Sequence, residues 1–130
     1  SGHIKEFDDT ESAERIHEYH KSGTFYEVDA SGNKHTRIVG TNYEVIAGSD
    51  FVNVKGTANL TIDSNCNTYI KGNWNIQVDG TKTEVVTGAV TETYKANQTT
   101  KITGTLDLDA SIEVDIDAGT PDNRGKINLN

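Results

Sequence analysis

The chain is poor in the residues that stabilise most small domains. Only 33% of its 130 residues are hydrophobic, methionine is absent, and there is a single cysteine, Cys66. One cysteine excludes an intrachain disulfide, so the chain is not a disulfide-stapled secreted domain. Since ordinary domains are roughly 45–50% apolar, a conventional globular core is not expected. Because methionine is missing even at position 1, we expect a piece of a longer protein.

Basic charge and long apolar runs are also scarce. Twelve Lys and Arg stand against twenty Asp and Glu, which gives a formal net charge of −8. Without a basic stripe to neutralise phosphates, nucleic acid is not an expected partner, and attraction to anionic lipid is not expected either. No apolar run approaches the roughly 18–20 residues of a membrane span, and no signal peptide is visible.

What the chain has instead is an eight-residue repeat, hereafter the octad. A β-branched residue is followed, two positions later, by glycine, and nine units keep this register without an insertion. The apolar position, the seventh of each unit, is occupied by Ile38, Ile46, Val54, Ile62, Ile70, Val78, Val86, Tyr94 and Ile102. The first position of the following unit is occupied by Gly40, Gly48, Gly56, Gly72, Gly80, Gly88 and Gly104, with Ser64 and Ala96 as substitutes.

An octad is too short for a helical repeat and fits one short strand plus one corner. We expect glycine at the corner because the backbone there either needs a positive φ or has no room for a side chain. Since alternate strand residues share a face, the seventh-position residues are expected to form the inner wall of a β-helical shaft.

The pattern divides the chain into three segments. Residues 1–31 lack the octad and alternate apolar and polar residues between turn signals, which predicts two or three antiparallel strands belonging to an absent upstream domain or a linker. Residues 32–105 form the octad shaft. Residues 106–130 show strict period-two alternation with acidic residues, which predicts a narrowed tip. Its apolar core is predicted from Leu106, Leu108, Ile112, Val114 and Ile116, and its cap contact from Ile127 and Leu129.

One strand per octad leaves backbone donors and acceptors without partners. Either a lone chain coils on itself or three identical chains intertwine. Some inward positions are polar, for example Lys82 and Glu84, which favours the trimer and an interior with room for water or ions. Alternatively, strand twist turns those positions outward. The predicted fold is all-β, an intertwined homotrimeric triangular β-helix preceded by a small antiparallel segment.

Two motifs resemble a known family. The opening Ser1–Thr10, with Glu14–His17 and His20–Thr24, resembles the stretch between an oligosaccharide/oligonucleotide-binding-like (OB-like) barrel and the spike in central spike proteins of contractile injection machines. These include phage baseplate hub spikes and the VgrG proteins of type VI secretion. The octads resemble the spike itself, and together the motifs cover about residues 1–118.

The resemblance implies a homotrimeric β-helical prism, located in the virion as part of the phage tail baseplate and in the host cytoplasm during assembly. It implies baseplate hub proteins as partners, a PAAR-like protein at the tip, and mechanical penetration of the target cell's outer membrane. Two features of the family are missing. No segment resembles a lysozyme domain, and no His-x-His metal motif follows His35.

Other chemistry is weaker. His17 and His20 point to opposite faces of a strand, so joint metal binding is unfavourable. Regularly spaced tip carboxylates are typical of a solvated strand face rather than a calcium site. Glu84 and Glu92 resemble the acid and base pair of a glycan-cleaving enzyme, but the octads leave no room for catalytic loops. Cys66 has no basic neighbour to activate it. We expect neither an enzyme nor a cofactor; the alternative function is a receptor- or polysaccharide-binding β-helical tail fibre.

Overall fold

The regular structure of the chain is entirely β. A computed structural model describes residues 1–120 and 123–125, and no helix lies in that part of the chain. The strands are β1 (Ile4–Asp8), β2 (Arg15–Tyr19), β3 (Phe25–Val28), β4 (Lys34–Arg37), β5 (Gly119–Thr120) and β6 (Asn123–Arg124). By its own contacts the chain divides into two units, Ser1–Tyr69 and Ile70–Asn130. Over the described residues there is no helix long and apolar enough to cross a membrane.

The first unit begins with a four-stranded antiparallel sheet in the order β1-β2-β3-β4. Its register places Phe7 opposite Ile16 and Ile16 opposite Val28, so period-two alternation puts these apolar residues on one face. The predicted antiparallel strands at the start of the chain are therefore confirmed.

Tight turns set the sheet register. In the β2–β3 turn the Gly23 amide donates to the His20 carbonyl at 2.8 Å, and in the β3–β4 turn the Gly32 amide donates to the Asp29 carbonyl at 2.9 Å. Gly23 has a φ of 96° and Gly32 a φ of 79°, in the left-handed region that favours glycine. The positive φ of each turn therefore explains why glycine occupies positions 23 and 32.

The fourth strand was not predicted. β4 lies beyond residue 31, where we expected the strands to end, and its residues Lys34, His35, Thr36 and Arg37 are all polar and exposed. Because neither face of β4 carries an apolar residue, the strand shows no alternation of apolar and polar residues from which it could be predicted. The turn from Asp29 to Asn33 sends the chain back along β3 instead.

Beyond the sheet, residues 38–118, hereafter the octad segment, bend at a fixed interval. The bends are centred on residues 39–40, 47–48, 55–56, 63–64, 71–72, 79–80, 87–88, 95–96, 103–104 and 111–112. Each bend follows a seventh-position residue directly, so the eight-residue period is a property of the backbone as well as of the sequence. Between these bends the segment forms no strand with its own chain.

No residue in the described part of the chain is buried. Every residue from 30 to 117 is exposed. The seventh-position side chains are nevertheless the more covered ones, at 40% exposure for Ile38 and 57% for Tyr94, against 88% for Tyr43 and 93% for Phe51. The seventh-position side chains are thus partly covered next to each bend even within one copy.

The corner glycines correct one expectation. None of Gly40, Gly48, Gly56, Gly72, Gly80, Gly88 or Gly104 has a positive φ, so conformational need does not explain them. Ser64 and Ala96 occupy the same bend position, which agrees with a backbone that any residue adopts. A Cβ atom built on each of these glycines meets nothing within 4 Å in its own chain. Within a single copy, therefore, no neighbouring atom excludes a side chain from the corner positions.

The octad bend continues where glycine is missing. The chain bends at residues 111–112, and the Ile112 side chain there is 97% exposed, whereas Val114 is 54% exposed. After it, β5 and β6 pair as a short hairpin, in which the Gly125 amide donates to the Ala118 carbonyl at 2.7 Å. Ile127 and Leu129 lie outside the described residues.

Candidate functional site

One face of the sheet carries a charged cluster, defined by Glu6, Arg15, His17 and Glu27. The Arg15 guanidinium donates to Glu6 Oε2 at 2.6 Å, and its Nη1 lies 3.9 Å from Glu27 Oε1. His17 Nδ1 lies 3.6 Å from the same Glu27 oxygen. Register explains the grouping, because Glu6 pairs with His17 and His17 with Glu27 across three strands. The cluster crosslinks β1, β2 and β3.

The charged cluster is partly shielded from solvent. The side chains of Arg15 and Glu6 are 40% and 36% exposed, and those of Glu27 and His17 are 24% and 17% exposed. Arg15 Nε and His17 Nδ1 are inaccessible and have no hydrogen-bond partner. Two carboxylates share one guanidinium, which stabilises the strand pairing. Among the described residues, the ion pairs of this cluster involve no side chain beyond these four.

The opposite face carries an apolar row, defined by Phe7, Ile16 and Val28 in directly paired positions of three strands. Phe7 is 68% exposed and Ile16 45% exposed. On the same face Lys34 Nζ lies 5.3 Å from the Tyr26 ring centroid, within cation–π range. An apolar row open to solvent is typical of a surface that another protein element covers.

The β3–β4 turn is organised by one carboxylate. Asp29 accepts hydrogen bonds from the amides of Ser31 and Asn33, each at 3.0 Å, and from Asn33 Nδ2 at 3.1 Å. His35 Nε2 lies 3.2 Å from Asp29 Oδ2. These hydrogen bonds, those from Asn33 first, hold the pKa of Asp29 below its usual 3.8. In the β1–β2 turn, hydrogen bonds from Thr10 lower the pKa of Asp8 in the same way.

The histidines do not form a metal centre in the described residues. His17 belongs to the charged cluster, whereas His20 follows β2 and its ring centroid lies 4.5 Å from that of His3. Backbone amides point at both rings: Lys21 donates to His3 Nδ1 at 3.4 Å and Ser22 to His20 Nδ1 at 3.1 Å.

The octad segment brings few side chains together within one copy. Lys82 Nζ lies 3.0 Å from Glu84 Oε2, and Gln77 Nε2 donates to Asp79 Oδ1 at 2.7 Å. Both pairs are two residues apart and so share a face, as strand geometry requires. The proposed inner-wall residues lie one octad apart and each precedes a bend. Leu106, Leu108, Val114 and Ile116 are exposed in a single copy.

Sequence reasoning missed the charged cluster and the Asp29 turn. The cluster had a visible signal, because acidic and basic residues recur with period two in strands that the turns bring together. The Asp29 turn had a weaker one, the run Asp29-Ala30-Ser31-Gly32-Asn33, which is rich in turn-forming residues.

Comparison with known proteins identifies relatives over part of the chain. No protein-family model matches the sequence. A protein named Gp5 from Vibrio phage KVP40 is 52% identical over 46 residues, 35% of this chain and 11% of that protein. The pre-baseplate central spike protein Gp5 of Enterobacteria phage T4 is 44% identical over 45 residues, 35% of this chain and 8% of that protein.

The chain thus corresponds to about a tenth of the length of these curated relatives. Identity of this level over some 45 residues reflects common descent. Over about a third of its length the chain is therefore homologous to Gp5 proteins of T4-like phages, which confirms the resemblance to phage central spike proteins over that part.

Proposed function

We propose that three copies of this chain intertwine as a triangular β-helix and form the shaft and tip of a central spike in the baseplate of a contractile phage tail. The observation that carries the baseplate role is the homology to Gp5, since the T4 relative is a pre-baseplate central spike protein. The spike acts mechanically, without catalytic residues, and pierces the outer membrane of the target cell when the tail contracts.

The lack of any buried residue among those the structure describes supports assembly from several copies. Seventh-position residues such as Ile46, Ile62 and Ile70 stay near 45% exposed in one copy, and the segment pairs with no strand of its own. A backbone of this kind needs external partners for its amides and carbonyls. Burying a β-branched side chain contributes roughly 1.5–3 kcal/mol before entropy is subtracted, so closing three inner walls around one axis is a substantial driving force.

The corner glycines support the same assembly. Neither φ nor the chain's own atoms require glycine at these seven positions. A requirement for a small residue, met also by Ser64 and Ala96, then arises from atoms of another copy. In a triangular shaft the corners are where the strands of neighbouring copies come closest to one another.

The octad columns distinguish three chains from one. When three chains intertwine, residue i lies beside residue i+8 of a neighbour, whereas a lone chain that completes a turn in three octads places i beside i+24. At eight-residue spacing one outward column runs Tyr43, Phe51, Asn59, Asn67, Asn75, Thr83, Thr91, Thr99, Asp107, Asp115. Aromatic follows aromatic, amide follows amide, and hydroxyl follows hydroxyl. The matched uncharged neighbours stabilise parallel ladders and are lost at a spacing of 24, whereas Asp107 beside Asp115 brings two like charges together at the solvated distal end.

The distal end supports a capped tip. Leu106, Leu108, Ile112, Val114 and Ile116 alternate with polar, mostly acidic residues, which gives an apolar interior and a solvated exterior in the proposed trimer. A PAAR-like protein at this end, and baseplate hub proteins at the opposite end, are the proposed partners. Ions in the lumen would neutralise inward polar residues; no cofactor is proposed.

Light scattering on the purified chain tests the assembly. We expect a particle of about 43 kDa, three times the chain mass of 14.2 kDa. A folded, ordered particle of one chain mass contradicts the proposal. Antibodies against the chain test the location, because they should label the end of the tail in virions that encode it; labelling confined to lateral fibres contradicts the spike role.

A β-helical tail fibre that binds receptors or polysaccharide is the second candidate. It is favoured by outward aromatic side chains, since Tyr43, Phe51 and Tyr69 are all more than four-fifths exposed. Specific micromolar binding on a glycan array, lost in Tyr69→Ala, would support the fibre. The absence of such binding, with labelling at the tail end, supports the spike.

A further inference from the structure

A column of alternating charge runs along the octad corners. Lys55, Asp63, Lys71 and Asp79 are spaced by eight residues, and each is the first residue of a bend. The preceding and following members of the column, Ala47 and Thr87, are uncharged. Four residues in one structural position that alternate in sign form a defined charge ladder, hereafter the corner ladder.

A single copy does not use the corner ladder. In the described part of the chain, none of its four residues forms an ion pair. Asp79 accepts one hydrogen bond from Gln77, at 2.7 Å, and that contact lies within one octad. The complementary charges are therefore available to another molecule with the same eight-residue spacing.

We propose that the corner ladder is an interface between copies of this chain, in which each lysine pairs with the aspartate eight residues later on the neighbouring copy. This inference rests on the proposed trimer, where residue i lies beside residue i+8 of a neighbour about 4.8 Å away. The pairs are Lys55 with Asp63, Asp63 with Lys71, and Lys71 with Asp79. A lone coil, at a spacing of 24, would instead place Lys55 beside Asp79 and Lys71 beside Lys95, which leaves one opposite-charge pair and one like-charge pair.

The ladder sets the stagger between the copies. A repeat of β-branched residue and glycine looks the same after a shift of one octad, so apolar packing alone barely distinguishes the correct alignment from a slipped one. A slip of eight residues in one direction places Lys55 beside Lys71 and Asp63 beside Asp79. A slip in the other direction places each residue beside its own counterpart. Both slips bring like charges together, so the ladder disfavours them.

Charge substitutions test the ladder in the full chain. Asp63→Lys creates a run of three lysines and is expected to lower the melting temperature of the trimer by several degrees, less at high salt. The control Asn65→Lys adds a lysine two residues further along, in a column without charged neighbours, and is expected to change little. Because the chain carries a net charge of −8, added positive charge should by itself reduce the overall repulsion between copies. A lower melting temperature in Asp63→Lys would therefore not be explained by the change in net charge.

The inverted ladder K55D/D63K/K71D/D79K keeps the net charge and restores alternation with the signs exchanged. We expect it to regain most of the melting temperature that Asp63→Lys loses. A failure to regain it, or an Asp63→Lys trimer as stable as Asn65→Lys, overturns the inference.

A mixing experiment tests whether the contacts join different copies. K55D/K71D makes all four positions of the corner ladder acidic, and D63K/D79K makes all four basic. When the two variants are refolded together, native mass spectrometry should show mixed trimers above the binomial proportion. Binomial mixing overturns the corner ladder while leaving the trimer intact, whereas a wild-type particle of one chain mass overturns the proposed trimer itself.

Discussion

The sheet and the octad segment are both β structure, yet they use their own chain in opposite ways. In the sheet, β1 to β4 pair in sequence order, and ion pairs such as Arg15 with Glu6 join neighbouring strands. In the octad segment, the described residues form no strand pairing within one copy until the Gly119–Thr120 hairpin. Short turns let a strand find its neighbour in the same chain. In the proposed trimer, a bend without a reversal would instead direct each part of the octad segment toward a neighbouring copy.

The contrast also separates two uses of glycine. Gly23 and Gly32 are needed by the conformation of their own turns, where φ is positive. The corner glycines are not, and the space around them is open in one copy. Glycine is thus explained by local geometry in the sheet, whereas in the octad segment its explanation depends on the proposed neighbouring copy.

The largest effect is expected from a charge on the inner wall. Ile62→Asp would place three carboxylates around the shaft axis, where burial of an unpaired charge is strongly unfavourable, so the trimer should not form. Val78→Asp should behave in the same way. The control Thr61→Asp lies on the outward face and should keep a particle of three chains by light scattering. A normal trimer in Ile62→Asp would refute the inward assignment of the seventh position.

Substitutions at the two kinds of glycine should depend differently on side-chain size. At Gly32 any Cβ is strained by the positive φ, so Gly32→Ala and Gly32→Val should each cost about 1–2 kcal/mol. At Gly72, alanine should be tolerated because Ala96 already occupies a corner, whereas valine should lower the melting temperature of the trimer. Equal tolerance of alanine and valine at Gly72 would show that no neighbouring copy crowds the corner.

The charged cluster should contribute a smaller amount. Arg15→Met leaves Glu6 and Glu27 without their shared cation and should destabilise the sheet by about 1 kcal/mol, measured by denaturant unfolding. The matched control is Lys5→Met, because Lys5 lies 4.0 Å from Glu18 and both side chains are 68% exposed. That control should be near neutral, and an equal loss in both variants would remove any special role for the cluster.

The smallest effect is expected from acid. The pKa of Asp29 is lower in the folded chain than its usual 3.8, because Asn33 donates hydrogen bonds to the carboxylate. Because the pKa is lower in the folded chain, the ionised carboxylate stabilises the fold at pH values above the unfolded pKa. That stabilisation is lost as the pH falls through the folded pKa. Below about pH 4 the turn should therefore weaken, and Asp29→Asn should flatten this dependence. Titration of the carboxyl by NMR checks the direction; a raised pKa would contradict it.

Local patterns allowed β1, β2 and β3 to be predicted, because apolar residues such as Phe7 and Ile16 alternate with polar ones between turn residues. β4 was missed because pairing with β3, not its own residues, makes it a strand. The eight-residue bends were also predictable, since each unit repeats its own signal. The charged cluster depends on which strands become neighbours, and that is a property of the turns rather than of any strand alone.

The fixed interval between bends has a consequence for how such a chain changes length. Removing or adding one residue would turn every later inner-wall side chain to the opposite face, whereas removing or adding a complete octad would leave all the others in place. The length of the repeat region can therefore change by complete octads without disturbing the inward pattern, but not by single residues.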